Sequence, residues 1–210
     1  MFIKICGITH IEDALVAVEA GADALGFNFY RKSPRFVEKE KVLEILEDIP
    51  PSVLKVGVFV NESEDLVQDL SQVLSLDYLQ FHGDETPYYC EQFATPYWKA
   101  FRLHAESVEK SEKTFDLMKK YHCDYYLIDT FSEDVFGGTG KTGNWALARE
   151  AKKMGKIILA GGLTPDNVEE AIRTVQPDGL DVASGVEERP GKKSREKIEL
   201  FISRARASRY

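Results

Sequence analysis

A thiol and a carboxylate stand where two apolar runs give way to loops: Cys6 in Lys4-Ile5-Cys6-Gly7-Ile8-Thr9, and Asp129 in Leu127-Ile128-Asp129-Thr130. A cysteine so placed is either inert packing or, once ionised, a base or nucleophile. A carboxylate at the end of an apolar run is either a helix cap or a general acid whose pKa burial raises. Lys4 shares a face with Cys6 by the period of two and would favour the thiolate if its ammonium lay close. Pointing inward, that lysine needs a carboxylate partner such as Asp181.

A second group of residues suits an anion. The run Ile157-Ile158-Leu159-Ala160 ends in Gly161-Gly162 just before Thr164-Pro165, and the next run ends in Ser184-Gly185. Glycines let a ligand approach the backbone, and N–H groups at a helix start favour negative charge, so the two turns together read as a phosphate site. Arg35, after Pro34, is either a solvated charge or a bidentate clamp for a carboxylate or phosphate. Gln80 and His82 share a face and can form an inward polar pair, whereas Trp98 and Trp145 read as core or rim packing.

Such residues need a scaffold that brings strand ends together. Short β-rich runs at 2–6, 24–29, 54–60, 78–81, 97–102, 124–129, 156–160 and 180–183 alternate with segments of helical spacing. In 62–74, for example, Leu66, Val67, Leu70, Val73 and Leu74 recur at i, i+3 and i+4 beside polar residues. Gly21 and Gly155 mark helix ends, and Thr164-Pro165 puts a cap and a first-turn proline before a helix over 167–175. Eight uninterrupted βα units predict a parallel sheet closed into a single-domain (β/α)8 barrel spanning 1–210. An open doubly wound sheet usually carries a phosphate fingerprint after its first strand, and here that turn reads CGIT. Barrel active sites lie at the carboxyl ends of the strands, which is where the polar residues above fall. The connection after Asp129 is long and polar, with Gly137, Gly138, Gly140 and Gly143, and suits a lid.

Composition narrows the partners. Lys and Arg number 27 against 35 Asp and Glu, for a net charge of −8, which argues against a nucleic-acid surface. No apolar run approaches a membrane span, and the beginning of the chain lacks a signal-peptide pattern. Three widely spaced cysteines, Cys6, Cys90 and Cys123, indicate neither a disulfide framework nor a zinc site, so a cytoplasmic protein with reduced thiols is expected.

Taken as a set, KICGIT at 4–9, SPR at 33–35, QFHG at 80–83, LIDT at 127–130, GGTGKTGNW at 137–145, AGGLTPDNV at 160–168 and DVASGVE at 181–187 resemble the phosphoribosylanthranilate isomerases of tryptophan biosynthesis. The resemblance implies a (β/α)8 barrel and an Amadori rearrangement of N-(5'-phosphoribosyl)anthranilate to 1-(2-carboxyphenylamino)-1-deoxyribulose 5-phosphate. It makes Cys6 the general base and Asp129 the general acid. It also places Arg35 near the anthranilate carboxylate, Asp181 on a ribose hydroxyl, Gln80 and His82 among the substrate-binding residues, and Gly161, Gly162, Ser184 and Gly185 on the phosphate. Gly138 and Gly140 would belong to a mobile sixth loop. The implied partner is a small phosphosugar, and one acid with one base requires no metal or organic cofactor. The chain departs from the family's pattern at Gly143-Asn144, where an aromatic and an acid are common. Two rival readings are a metal-dependent phosphosugar epimerase and a non-catalytic sugar-phosphate binder. The first needs strand-end histidines, and of His10, His82, His104 and His122 one ends a predicted strand.

Overall fold

The computed structural model describes residues 1–103, 108–130 and 145–208. Among them, β1 (Phe2–Cys6), β2 (Ala24–Asn28), β3 (Leu54–Phe59), β4 (Tyr78–Phe81), β5 (Tyr97–Arg102), β6 (Tyr125–Asp129), β7 (Ile157–Ala160) and β8 (Gly179–Val182) pair in parallel and in order, and β8 closes on β1. Helices α1 (Ile11–Glu19), α2 (Lys39–Leu46), α3 (Glu64–Val73), α4 (Pro87–Cys90), α5 (Val108–Met118), α6 (Trp145–Ala151), α7 (Val168–Val175) and α8 (Arg195–Ala207) follow the strands one by one. This is the (β/α)8 barrel that the alternation predicts.

The strands bury both faces, as parallel strands under helices must. Outward residues such as Ile3, Ile5, Leu25, Phe27, Phe81, Ile128 and Leu180 join the core beneath the helices. Inward residues Ala24, Val56, Trp98, Ala100, Leu127, Ile158 and Ala160 form a second cluster inside the barrel, with Phe2, Leu54, Tyr78 and Tyr125 packed against it. The aromatic members sit at the amino ends of their strands and interlock. Tyr78 lies 4.9 Å and Phe2 5.7 Å from Trp98, ring centre to ring centre, and Tyr125 lies 5.7 Å from it on another side. The barrel therefore has an aromatic floor, and its polar residues are left to the opposite end. Trp98 and Trp145 are both buried, in keeping with packing roles.

Differences from the expected boundaries have local causes. α3 begins at Glu64 because Ser63 is its extended N-cap residue, its own N–H held by the Glu62 carboxylate. Before α7, Thr164 Oγ1 accepts from Asp166 N while Asn167 Oδ1 accepts from Thr164 N, so the Thr-Pro pair opens a turn and the helix proper starts at Val168. β8 stops at Val182 because Ala183 leaves the extended region, at φ −123° and ψ −82°, and the chain enters a 3-10 turn over Ser184–Val186. A short antiparallel hairpin then follows, β9 (Glu187–Arg189) with β10 (Lys192–Lys193), which the sequence pattern did not suggest. Pro190-Gly191 makes its turn, with Gly191 at φ +81°. No described helix is long and apolar enough to cross a membrane.

Candidate active site

The site begins at the end of β1. Gly7, at φ +75°, turns the chain sharply after Cys6, and the N–H groups of Gly7 and Ile8 both donate to Gly26 O, at 2.9 and 3.0 Å, tying this turn to β2. Gly26 is the register partner of Cys6. A Cβ on Gly26 would stand 2.9 Å from Cys6 Sγ and 2.9 Å from Lys4 Nζ, so the two groups share the space that the missing side chain leaves. Lys4 is fully buried and donates to Asp181 Oδ1 at 2.8 Å; the two are register partners across β1 and β8. The predicted inward lysine and its carboxylate are thus both present.

Burial pushes the Cys6 thiol up, and although Lys4 beside it pulls the other way, the net direction is upward. The expected cation is therefore present and acts in the expected sense, without bringing the thiol below its ordinary value. The thiol is 8% exposed inside an apolar barrel, and lost hydration outweighs the nearby charge. For Lys4, burial favours the neutral amine, but the charges of Asp181 and then Cys6 more than offset it and hold the ammonium above its ordinary range.

Arg35 lies over the same turn, its Cδ 2.5 Å from where a Cβ on Gly7 would be. Its loop is set by Asn28, whose Oδ1 accepts from Tyr30 N and whose Nδ2 donates to Ser33 Oγ, which in turn accepts from Arg35 N. The Arg35 fork grips Glu187 of β9, Nε to Oε1 at 2.8 Å and Nη2 to Oε2 at 2.7 Å. Lys193 of β10, also buried, donates to Glu187 Oε1 at 2.9 Å and to Ala183 O at 3.1 Å. Burial lowers the Lys193 pKa more than Glu187 restores it. The hairpin is clasped to the rim by Asp13, which accepts from Lys193 N, and by Thr9, which donates to Gly191 O.

Asp129 ends β6, with His82 Nε2 3.4 Å from its Oδ2. Gln80 Nε2 lies 3.2 Å from His82 Nδ1, so Gln80, His82 and Asp129 form a chain along the rim. Gln80 Oε1 is buried and has no hydrogen-bond partner among the described residues. Such an amide side chain has an acceptor to offer to a ligand.

Gly161 and Gly162 have φ of +85° and +66°, and Asn167 Nδ2 donates to Gly162 O at 2.8 Å. Thr130 Oγ1 donates to the carbonyls of Ala160 and Gly161, both at 3.1 Å, bracing this turn from β6. Gly185 meets it from the β8 side so closely that a Cβ would fall 1.8 Å from Leu163 O. The two glycine turns therefore form one backbone surface at the ends of β7 and β8, the usual phosphate position in such barrels.

The structure gathers Cys6, Lys4, Asp181 and Arg35 at one side of the mouth, Gln80, His82 and Asp129 along another part of the rim, and Gly161, Gly162, Ser184 and Gly185 at the last two strands. Gly138, Gly140 and the Gly143-Asn144 departure lie outside the described residues. Glu187 and Lys193 were missed as site residues. The signal in the sequence was Pro190-Gly191, a turn dipeptide between charged residues, which folds both side chains back onto the barrel. Among the described residues, no group of three or more His, Cys, Asp or Glu is placed to hold a metal ion.

Comparison with known proteins bears directly on this arrangement. The family described as N-(5'phosphoribosyl)anthranilate (PRA) isomerase matches residues 3–204. The N-(5'-phosphoribosyl)anthranilate isomerase of Trichlorobacter lovleyi is 49% identical over 205 residues, 97% of each chain, and that of Geotalea uraniireducens 50% identical over 204 residues, 97% of this chain and 98% of its own. The solved phosphoribosyl anthranilate isomerase of Thermotoga maritima superposes with a TM-score of 0.88 at 38% identity, covering 98% of both chains. A second phosphoribosyl anthranilate isomerase structure, in complex with reduced 1-(o-carboxyphenylamino)-1-deoxyribulose 5-phosphate, gives a TM-score of 0.85 at 37% identity, again over 98% of both chains. The chain belongs to the N-(5'-phosphoribosyl)anthranilate isomerase family.

Proposed function

We propose that Cys6 and Asp129 are the base and acid with which this chain isomerises N-(5'-phosphoribosyl)anthranilate in tryptophan biosynthesis. The observation that carries the reading is a family match over residues 3–204 to a chain whose β1 and β6 end in this thiol and this carboxylate. Asp129, protonated when the substrate arrives, gives its proton to the furanose ring oxygen. The C1–O bond breaks and a Schiff base forms between C1 and the anthranilate nitrogen. Cys6, as thiolate, takes the proton from C2, leaving an enolamine; reprotonation at C1 and loss of the enol proton give the ketone of 1-(2-carboxyphenylamino)-1-deoxyribulose 5-phosphate. The product has the atoms of the substrate, and the two residues exchange protons with it.

The remaining residues hold the ligand. The N–H groups of Gly161, Gly162, Ser184 and Gly185 suit the phosphate, since close backbone approach is what those turns permit. Asp181 takes a ribose hydroxyl with the oxygen that Lys4 does not occupy. Arg35 presents its charge beside Gly7 to the anthranilate carboxylate, and Gln80 and His82 offer polar atoms on the opposite part of the rim. With a net charge of −8 the chain as a whole does not attract a phosphosugar, so the anion is held locally, by backbone N–H groups and single cations, in an enzyme we place in the cytoplasm.

The test is a steady-state assay with freshly generated phosphoribosylanthranilate, following loss of its fluorescence. Cys6→Ala and Asp129→Asn should each lower turnover by about 10²–10⁴-fold while a phosphorylated product analogue still binds. Turnover at the parent rate in either variant would remove that residue from the mechanism.

A further inference from the structure

Lys4 has no part in the chemistry just described, yet its position is unusual. It is one of the largest fully buried side chains among the described residues, and it shares the barrel interior with an apolar cluster that includes Ala24, its register partner on β2. Among the described residues, Asp181 Oδ1 is its hydrogen-bond partner, at 2.8 Å, which engages one of three N–H donors. Replacing a buried ion pair by apolar side chains is often neutral or stabilising, so packing alone gives no reason for this one. Cys6 Sγ and Lys4 Nζ each lie 2.9 Å from the same point above Gly26 and so lie within twice that distance of each other.

We propose that Lys4 is a positioning residue for the reaction, supplying from below the countercharge that lets Cys6 exist as a thiolate inside the barrel, with Asp181 setting how much of that charge reaches the sulfur. This rests on Cys6 being the base. Among the described residues, the charged groups around Cys6 come from several elements. Lys4 comes from its own strand and Asp181 from β8. Lys193 comes from β10 and Arg35 from the loop after β2, and both of these cations are tied to Glu187 of β9. Asp129 stands on β6 with His82 of the β4 end beside it. Of these cations, Lys4 is the one that shares the space above Gly26 with the sulfur, and it has donors to spare. When Cys6 takes the C2 proton the thiolate charge is cancelled, so a cation there favours the state before proton transfer and makes the base available.

The two members of the pair act on the thiol in opposite senses, Lys4 lowering its pKa and Asp181 raising it, with Lys4 the stronger. That opposition gives a test that a structural role would not pass. The pH dependence of Cys6 alkylation by iodoacetamide, resolved by peptide mass spectrometry, reads the thiol directly and needs no turnover. Cys90 and Cys123, pushed up to about 12 chiefly by burial, serve as internal references. Lys4→Met should move the Cys6 midpoint to higher pH and slow its alkylation near neutrality by about tenfold, the equivalent of one pKa unit. Asp181→Asn should move the midpoint the other way. Lys4→Arg, which keeps a cation, should lie closer to the parent than Lys4→Met. Should Lys4→Met fold poorly with Asp181 left unpaired, the double variant Lys4→Met/Asp181→Asn carries the same prediction of a midpoint above the parent's. Should alkylation be too slow to follow, thiolate ultraviolet absorbance, corrected with Cys6→Ser, reads the same equilibrium. Shifts of Lys4→Met and Asp181→Asn in the same direction, or no shift in either Lys4→Met or the double variant, would overturn the proposal. Failure of Cys6 as the base would instead appear as undiminished turnover in Cys6→Ala, a separate result.

Discussion

Arg35 and Glu187 are joined by two parallel hydrogen bonds, 2.8 and 2.7 Å long, although 152 residues separate them. The same carboxylate takes Lys193, so one buried acid answers two cations, one from the loop after β2 and one from β10. Such a group is costly to break from one side. Glu187→Gln should destabilise the protein by about 3–5 kcal/mol, because it strands the Lys193 ammonium, and Glu187→Gln/Lys193→Met should recover much of that loss. Urea unfolding of the parent, both single variants and the double variant measures the coupling; simple additivity would refute it.

The same group sets an acid limit. Burial pushes the Glu187 carboxyl up, but hydrogen bonds from Arg35 and Lys193, with their charges, more than compensate and hold it below the ordinary glutamate value. The folded state thus binds this proton more weakly than the unfolded chain does. Its contribution to stability is present above about pH 4.3 and is lost as pH falls from there through the lower, folded value. Unfolding midpoints taken from neutral pH down to about pH 3 should fall more steeply for the parent than for Glu187→Gln.

Gly26→Ala should disturb catalysis more than binding. Its new methyl would enter the space shared by Cys6 Sγ and Lys4 Nζ, displacing both from a packed lumen. A stability loss of about 1–3 kcal/mol is expected from overpacking, with kcat falling while KM changes less. A KM effect larger than the kcat effect would mean that the displaced atoms serve binding instead.

Gly185→Ala makes the complementary case. Its methyl would collide with Leu163 O and force the last two strand-end turns apart. The expected result is a rise in KM, with kcat/KM lower by about 10²-fold, while the Cys6 titration stays as in the parent. A parent-like KM would remove this turn from the phosphate site.

Most of the barrel could be read from the sequence because short β-rich runs alternate with segments of helical spacing from one end to the other, and several runs, such as those of β1, β2 and β6, end at a polar residue or cysteine. Lys4 and Asp181 were legible as partners for a simple reason: period two points the lysine inward, and an inward ammonium needs a carboxylate. The direction of the Cys6 pKa was not, since a sequence displays the neighbouring cation but not the water lost on burial. The hairpin escaped because strands of three and two residues are too short to show a period. With it went the Arg35, Glu187 and Lys193 contacts, which exist only once the chain after β8 folds back onto the loop after β2. Asn61, two residues past the end of β3, braces a loop: its Oδ1 accepts from Asp84 N and its N–H donates to Glu85.

The aromatic floor gives the barrel the character of a cul-de-sac. Phe2, Tyr78, Trp98 and Tyr125 interlock at the amino end, so ligand and solvent reach Cys6 from the mouth. A substrate seated there covers the route by which water would come, and, with Cys6 as the proposed base, a proton lifted from it onto sulfur is sheltered for as long as the ligand stays. Sugar chemistry that would leak into water in an open groove is held, by the far end of the fold, to a dry dead end.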